Sequence, residues 1–172
     1  MPSSARAARL GARGLFGGVL LASLLALGLA LLSQHAYGMQ PCPWCVLQRA
    51  VFAAIAIVAL IGLLLRGGAA AMACAIAMAA FGLAGVAAAA WQHWVAAASP
   101  SCNQTLADRV IGGLRLDALL PEVFEARATC ADAAVRLFGV PYEFFSLGLF
   151  AAIVLAVAVH LRRGSRGVAE RR

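Results

Sequence analysis

Charged residues are scarce in this sequence. They make up 12% of the 172 residues, and lysine is missing altogether: all 14 basic residues are arginine. A soluble domain of ordinary composition carries roughly a quarter charged residues, so the scarcity argues against a water-solvated globule. Nor is the remaining charge spread evenly. The stretches 15–32, 50–65, 69–91 and 144–161 hold no Asp, Glu, Lys or Arg, in a chain that is 63% hydrophobic. A helix needs roughly 20 apolar residues to cross about 30 Å of hydrocarbon. The second stretch reaches that length only by starting near Val46, which leaves Gln48 and Arg49 at its wet end. The expected fold is therefore an all-α membrane protein: one four-transmembrane-helix bundle over 1–172, with spans at about 15–33, 46–65, 69–91 and 144–161. The first stretch follows Arg6, Arg9 and Arg13 as the core of a signal peptide would. It is longer than the roughly 7–15 residues of such a core, and no small-x-small site follows Ser33 cleanly, so it reads as a retained span.

The sign of the charge gives an orientation. Arg6, Arg9 and Arg13, then Arg66, then Arg162, Arg163, Arg166, Arg171 and Arg172 occupy three segments whose single acid is Glu170. Asp108, Asp117, Glu122, Glu125, Asp132 and Glu143 all fall in the segment between spans three and four. The positive-inside rule then puts both termini in the cytoplasm and the loops 34–45 and 92–143 outside. The net charge of +7 is thus a topology signal, split among short ends with no basic domain, and nucleic acid is not an expected partner. In the long loop, Leu116, Leu119, Leu120, Val123 and Phe124 recur at helical spacing opposite Asp117, Glu122 and Glu125. This predicts a short helix lying on the membrane surface, or one that begins at Pro121. The small residues of span three, among them Gly82 and Gly85, predict close helix packing.

Four of the five cysteines fall on the outer side. Cys42 and Cys45 form Cys-Pro-Trp-Cys before span two, Cys102 and Cys130 lie in the long loop, and Cys74 sits within span three as a small apolar residue. An oxidising compartment makes disulfides the expectation for such pairs. A Cys-x-x-Cys pair also fits half a zinc site, an inert disulfide or a redox pair. Its position favours redox, because the positive end of a helix dipole stabilises a thiolate, the attacking species in exchange. Arg49, four residues after Cys45, shares its helical face and adds a fixed cation. A zinc site would want a second close pair or a pair of histidines; Cys102 and Cys130 are far apart and His93 stands alone in that loop, so no metal is expected. Arg49 has two readings: a lipid-phosphate anchor, or a group that polarises an electron acceptor. His93 likewise donates to such an acceptor or caps the helix, and Trp91 and Trp94 read as interface anchors.

Four spans, Cys42-Pro-Trp-Cys45-Val-Leu-Gln-Arg49 opening the second, and Cys102 and Cys130 in the second outer loop resemble the bacterial disulfide bond formation protein B family. The likeness runs from about Leu15 to Leu161. It implies an inner-membrane, quinone-dependent protein-disulfide oxidoreductase. Such an enzyme reoxidises a DsbA-like periplasmic thioredoxin-fold partner and passes the electrons to ubiquinone or menaquinone. Carried over, Cys102 takes the partner's attack, Cys130 is its pair, Cys42 receives the exchange, and Cys45 faces the quinone with Arg49 beside it. His93 matches a family histidine near the quinone. The vitamin K epoxide reductase family also packs four helices around a quinone, but its Cys-x-x-Cys follows the loop pair, whereas here it comes first. Two other classes stand beside this one: a structural or assembly membrane protein with two inert disulfides, and a zinc-stabilised membrane module. A reductant titration separates the former, and metal analysis the latter.

Overall fold

The computed structural model describes residues 3–65, 68–98 and 105–169; Arg66, Cys102 and the last three residues, all used in the reading above, lie outside them. Helix α1 runs Ser3–Tyr37, α2 Pro43–Leu64 and α3 Ala69–Trp91, the last continuing through a π-helical turn, Gln92–Ala96. In the long loop come α4 (Leu106–Gly113), α5 (Leu116–Leu119), α6 (Pro121–Phe124) and a two-stranded hairpin of β1 (Arg136–Leu137) and β2 (Val140–Pro141). Helix α7 spans Glu143–Ala169. Among the described residues, four stretches are long and apolar enough to cross a membrane: Gly11–Tyr37, Pro43–Leu64, Ala69–Ala96 and Glu143–Arg163. The protein is an all-α, multi-pass membrane protein.

The helix ends lie further out than hydropathy places them. Helix α1 continues to Tyr37, where Gly38, at φ +66°, adopts the left-handed conformation and Met39 N–H bonds back to Ser33 O at 3.2 Å. That geometry closes a helix with a glycine just beyond it. Helix α2 starts at Pro43 rather than Val46, because proline at the first helical position forfeits no hydrogen bond and Cys42 caps the end. The expected surface helix is two pieces. Pro121 excludes helical geometry at the residue before it, and Leu120, at φ −139° and ψ 68°, separates α5 from α6.

Each long helix packs on the next, α1 on α2, α2 on α3, α3 on α7, and α7 meets α1 to close the ring. Lipid gives helices no hydrophobic reason to associate, so close packing has to hold them. Phe52 and Phe150 stack at a centroid distance of 4.0 Å and 11° between planes. Phe150 lies on Gly85 and Phe16 on Gly62, each ring filling the space a Cβ would take. Leu21, Leu25, Leu29, Ile57, Ile76, Leu83 and Leu155 point outward, as an apolar solvent allows.

The long loop covers one end of the bundle, here termed the loop face. A capping box between Thr105 and Asp108 starts α4, which lays Ile111 against Val46 of α2 and Phe124 of α6. Beyond α6 the chain is strapped to the start of α2: Arg127 N–H and Ala128 N–H both donate to Pro41 O, at 2.9 and 3.3 Å.

Candidate redox site

Cys42 occupies the N-cap of α2 in extended geometry, and its sulfur accepts from Cys45 N–H at 3.3 Å. The Cys-Pro-Trp-Cys sequence thereby becomes cap, first, second and third helical residue. The Cys42 and Cys45 sulfurs are 2.7 Å apart. A turn in which Thr129 Oγ1 bonds to Asp132 carries Cys130 to the same place. There Cys130 packs against the cluster of Cys42, Trp44 and Ala107. Three of the four candidate cysteines therefore meet at the first turn of α2, where unpaired amides and the helix dipole favour negative charge on sulfur.

The sulfurs are not equivalent. Cys42 is wholly buried, at 0% exposure, under Trp44, Ala88 and Ala107. Its thiol is held well above the ordinary range, first by the hydrogen bond to Cys130, then by that to Cys45 and by burial. Cys130 is partly exposed, and its thiol is held below the ordinary range, chiefly by the hydrogen bond from Cys42, with burial opposing. Of the two, Cys130 is the better nucleophile and Cys42 the sheltered partner. Cys102 lies outside the described residues, and Cys74 packs beside the bundle core, in the membrane-spanning part of α3. Among the described residues, no group of three or more His, Cys, Asp and Glu side chains is arranged to hold a metal ion.

Arg49, one turn below Cys45, is 6% exposed. It does not reach outward for lipid phosphates, because its guanidinium is turned inward against α1 and the loop. Nη1 donates to Gln34 Oε1 at 2.6 Å and to Val123 O at 3.0 Å, and Nη2 donates to Ala30 O at 3.2 Å. Among the described residues no carboxylate pairs with it, and its Nε–H and one Nη2–H have no partner. Cys45 is within electrostatic reach of this charge. His93 turns toward α7: its Nδ1 lies 2.6 Å from Glu143 Oε1, and its ring packs on Phe144 at 4.5 Å and on the edge of Trp94 at 5.1 Å. Among the described contacts His93 touches none of the cysteines. Trp91 and Trp94 are half exposed or more at the end of α3.

Sequence reasoning passed over three side chains of this site and misread a fourth. Gln34 holds Arg49, Glu143 holds His93, and Gln92 donates through Nε2 to the Cys45 sulfur at 3.2 Å. Gln48, taken only as the wet end of a span, donates to Gln92 Oε1 at 2.7 Å. The available signal was their position: Gln34, Gln48 and Gln92 are amides within or beside apolar runs, where an unpaired polar group is costly.

The model of the family described as "Disulfide bond formation protein DsbB" matches residues 12–160. The chain belongs to the DsbB family. "Disulfide bond formation protein B" of Herminiimonas arsenicoxydans is 34% identical over 80% of this chain and 87% of that protein. The protein of the same description from Aromatoleum aromaticum is 31% identical over 90% of this chain and 95% of its own length. That from Burkholderia thailandensis is 32% identical over 83% and 85%. As a member of the DsbB family the chain is a disulfide bond formation membrane protein, and the meeting of Cys42, Cys45 and Cys130 is the part of its structure suited to that work.

Proposed function

We propose that this chain is an inner-membrane, quinone-dependent protein-disulfide oxidoreductase that reoxidises a DsbA-like periplasmic thioredoxin-fold dithiol. The observation that carries the reading is the contact between Cys130, on the strapped loop, and Cys42, which no soluble protein reaches directly. Electrons enter at the loop pair. A partner thiolate attacks Cys102, the Cys102–Cys130 bond breaks, and the electron pair stays on Cys130. Cys130 then attacks Cys42, forming Cys42–Cys130 and leaving the pair on Cys45. The partner's second thiolate displaces Cys102, which attacks Cys130, restores the loop disulfide and frees Cys42.

The dithiol Cys42/Cys45 is returned to a disulfide by loss of two electrons and two protons, which a ubiquinone or menaquinone accepts as the exchangeable substrate. The residues present fit such an acceptor. Arg49 is a buried cation with two N–H groups unused among the described residues, suited to hold a carbonyl oxygen and the negative charge that develops on it. His93, its Nδ1 engaged by Glu143, has Nε2 for proton delivery. The loop face is periplasmic in this reading, and both termini are cytoplasmic.

The test mixes detergent-purified protein with a reduced thioredoxin-fold oxidant and a short-chain ubiquinone, and follows quinone absorbance. Quinone should be consumed one for one with partner disulfide formed, and Cys42→Ala should abolish both. Partner oxidation without quinone loss, or neither, overturns the proposal.

A further inference from the structure

We propose that Gln92 is a catalytic residue: its side-chain amide N–H donates the hydrogen bond that stabilises the electron pair left on Cys45 when Cys130 attacks Cys42. This rests on the exchange described above and adds a residue to it. The geometry is specific. Gln92 Nε2 donates to the Cys45 sulfur at 3.2 Å, and Gln92 Oε1 is held by Gln48 Nε2 at 2.7 Å. Both glutamines are about 95% buried, at 5% and 4% exposure, so neither amide turns to water for a substitute partner. Gln48 fixes which end of the Gln92 amide faces the sulfur. With Oε1 occupied by a donor, the N–H end is left for Cys45.

The chain geometry supplies the aim. Gln92 begins the π-helical turn that extends α3, and such turns, with one residue more per turn, recur at functional sites. In the exchange, the Cys42–Cys130 bond forms and the Cys42–Cys45 bond breaks. Cys42 keeps no charge, and the pair settles on Cys45. Gln92 donates to Cys45 in the state with both thiols free, the state the exchange produces on that sulfur, and a donor there stabilises that product and the transition state leading to it. It also sets direction, because Cys45 and not Cys42 becomes the leaving sulfur.

The experiment reads the equilibrium between the two disulfide isomers, so it needs no quinone. In a Cys102→Ala background, Cys130 partitions between a free thiol beside Cys42–Cys45 and the Cys42–Cys130 disulfide with Cys45 released. Acid quenching, alkylation and peptide mapping measure the ratio. Gln92→Met keeps the length of the side chain and removes the donor. It should shift the ratio toward Cys42–Cys45 by about 10- to 150-fold, the range for a hydrogen bond to a charged group. Gln48→Met, which leaves the donor but not its orientation, should shift it the same way by less. Turnover with quinone should fall in the same order. An unchanged ratio in Gln92→Met, in protein that keeps its helical circular dichroism, overturns the proposal. Should the protein with all its cysteines consume no quinone, the wider reading fails, while the isomer ratio still judges Gln92.

Discussion

A cation buried among neutral acceptors makes Arg49 the side chain whose removal is most informative. Its partners are Gln34, Val123 O and Ala30 O, so Arg49→Ala takes a donor from Gln34 Oε1 and Val123 O, while Ala30 O keeps the bond from Ser33 Oγ and no carboxylate loses a partner. If it holds the quinone, the variant's apparent quinone KM rises. If it also stabilises developing charge, kcat/KM falls by about 10- to 150-fold, the equivalent of roughly 1.5–3 kcal/mol. Arg49→Lys should recover only part of this, since the ammonium lacks the planar fork. Steady-state kinetics against quinone concentration decide the matter, and an unchanged KM removes Arg49 from the acceptor site. A second residue-scale expectation concerns Cys130. In a Cys45→Ala, Cys102→Ala chain, its alkylation rate should rise with pH through a midpoint below the ordinary thiol value of about 8.5. The hydrogen bond from Cys42 favours the charged form, so the thiolate persists to lower pH than in a free cysteine. Cys42→Ala should move the midpoint back up, and a midpoint indifferent to Cys42 would contradict the contact.

Among the elements, α3 and α7 show what the bundle asks of glycine. A Cβ on Gly85 would press into the Phe150 ring, whereas one on Gly28 of α1 meets nothing within 4 Å. Gly85→Ala should therefore lower stability by about 1–3 kcal/mol, a cost of overpacking, and Gly28→Ala should be neutral or slightly stabilising. Unfolding in detergent micelles compares the two, and equal effects would mean the rings move aside freely. The same contrast explains what could be read in advance. The four spans were legible because each holds a long run without charge, 15–32, 50–65, 69–91 and 144–161, and the Cys-Pro-Trp-Cys cap because proline and the cysteine spacing are local features. The Gln48–Gln92 bond joins positions 44 residues apart, and no local pattern in the sequence marks that pairing. The His93–Glu143 pair escaped for the same reason: Glu143 counted as one acid in an acidic loop, yet it begins α7 and is buried. The break at Leu120 was half legible, since Pro121 offered two helix starts and the sequence left both open.

For the molecule as a whole, orientation is the property that most needs measurement. In an otherwise cysteine-free chain, Phe138→Cys, on a hairpin residue that is 91% exposed, should react with a membrane-impermeant maleimide added outside spheroplasts. Arg163→Cys, exposed near the far end of α7, should react only after lysis. The reverse pattern would invert the topology and put the cysteines in a reducing compartment.

The complete enclosure of Cys42 has a further consequence. An electron carrier embedded among small environmental thiols is exposed to leakage, because any thiol that touches its interior sulfur closes a short circuit and drains the acceptor pool without oxidising the intended protein. A sulfur at 0% exposure beneath Trp44 and Ala107 is insulated against that loss. On the proposed function, Cys42 exchanges through Cys130, whose loop is strapped to Pro41. On the same proposal, what keeps glutathione-sized reductants from Cys42 is the wall around that sulfur rather than recognition at the loop pair.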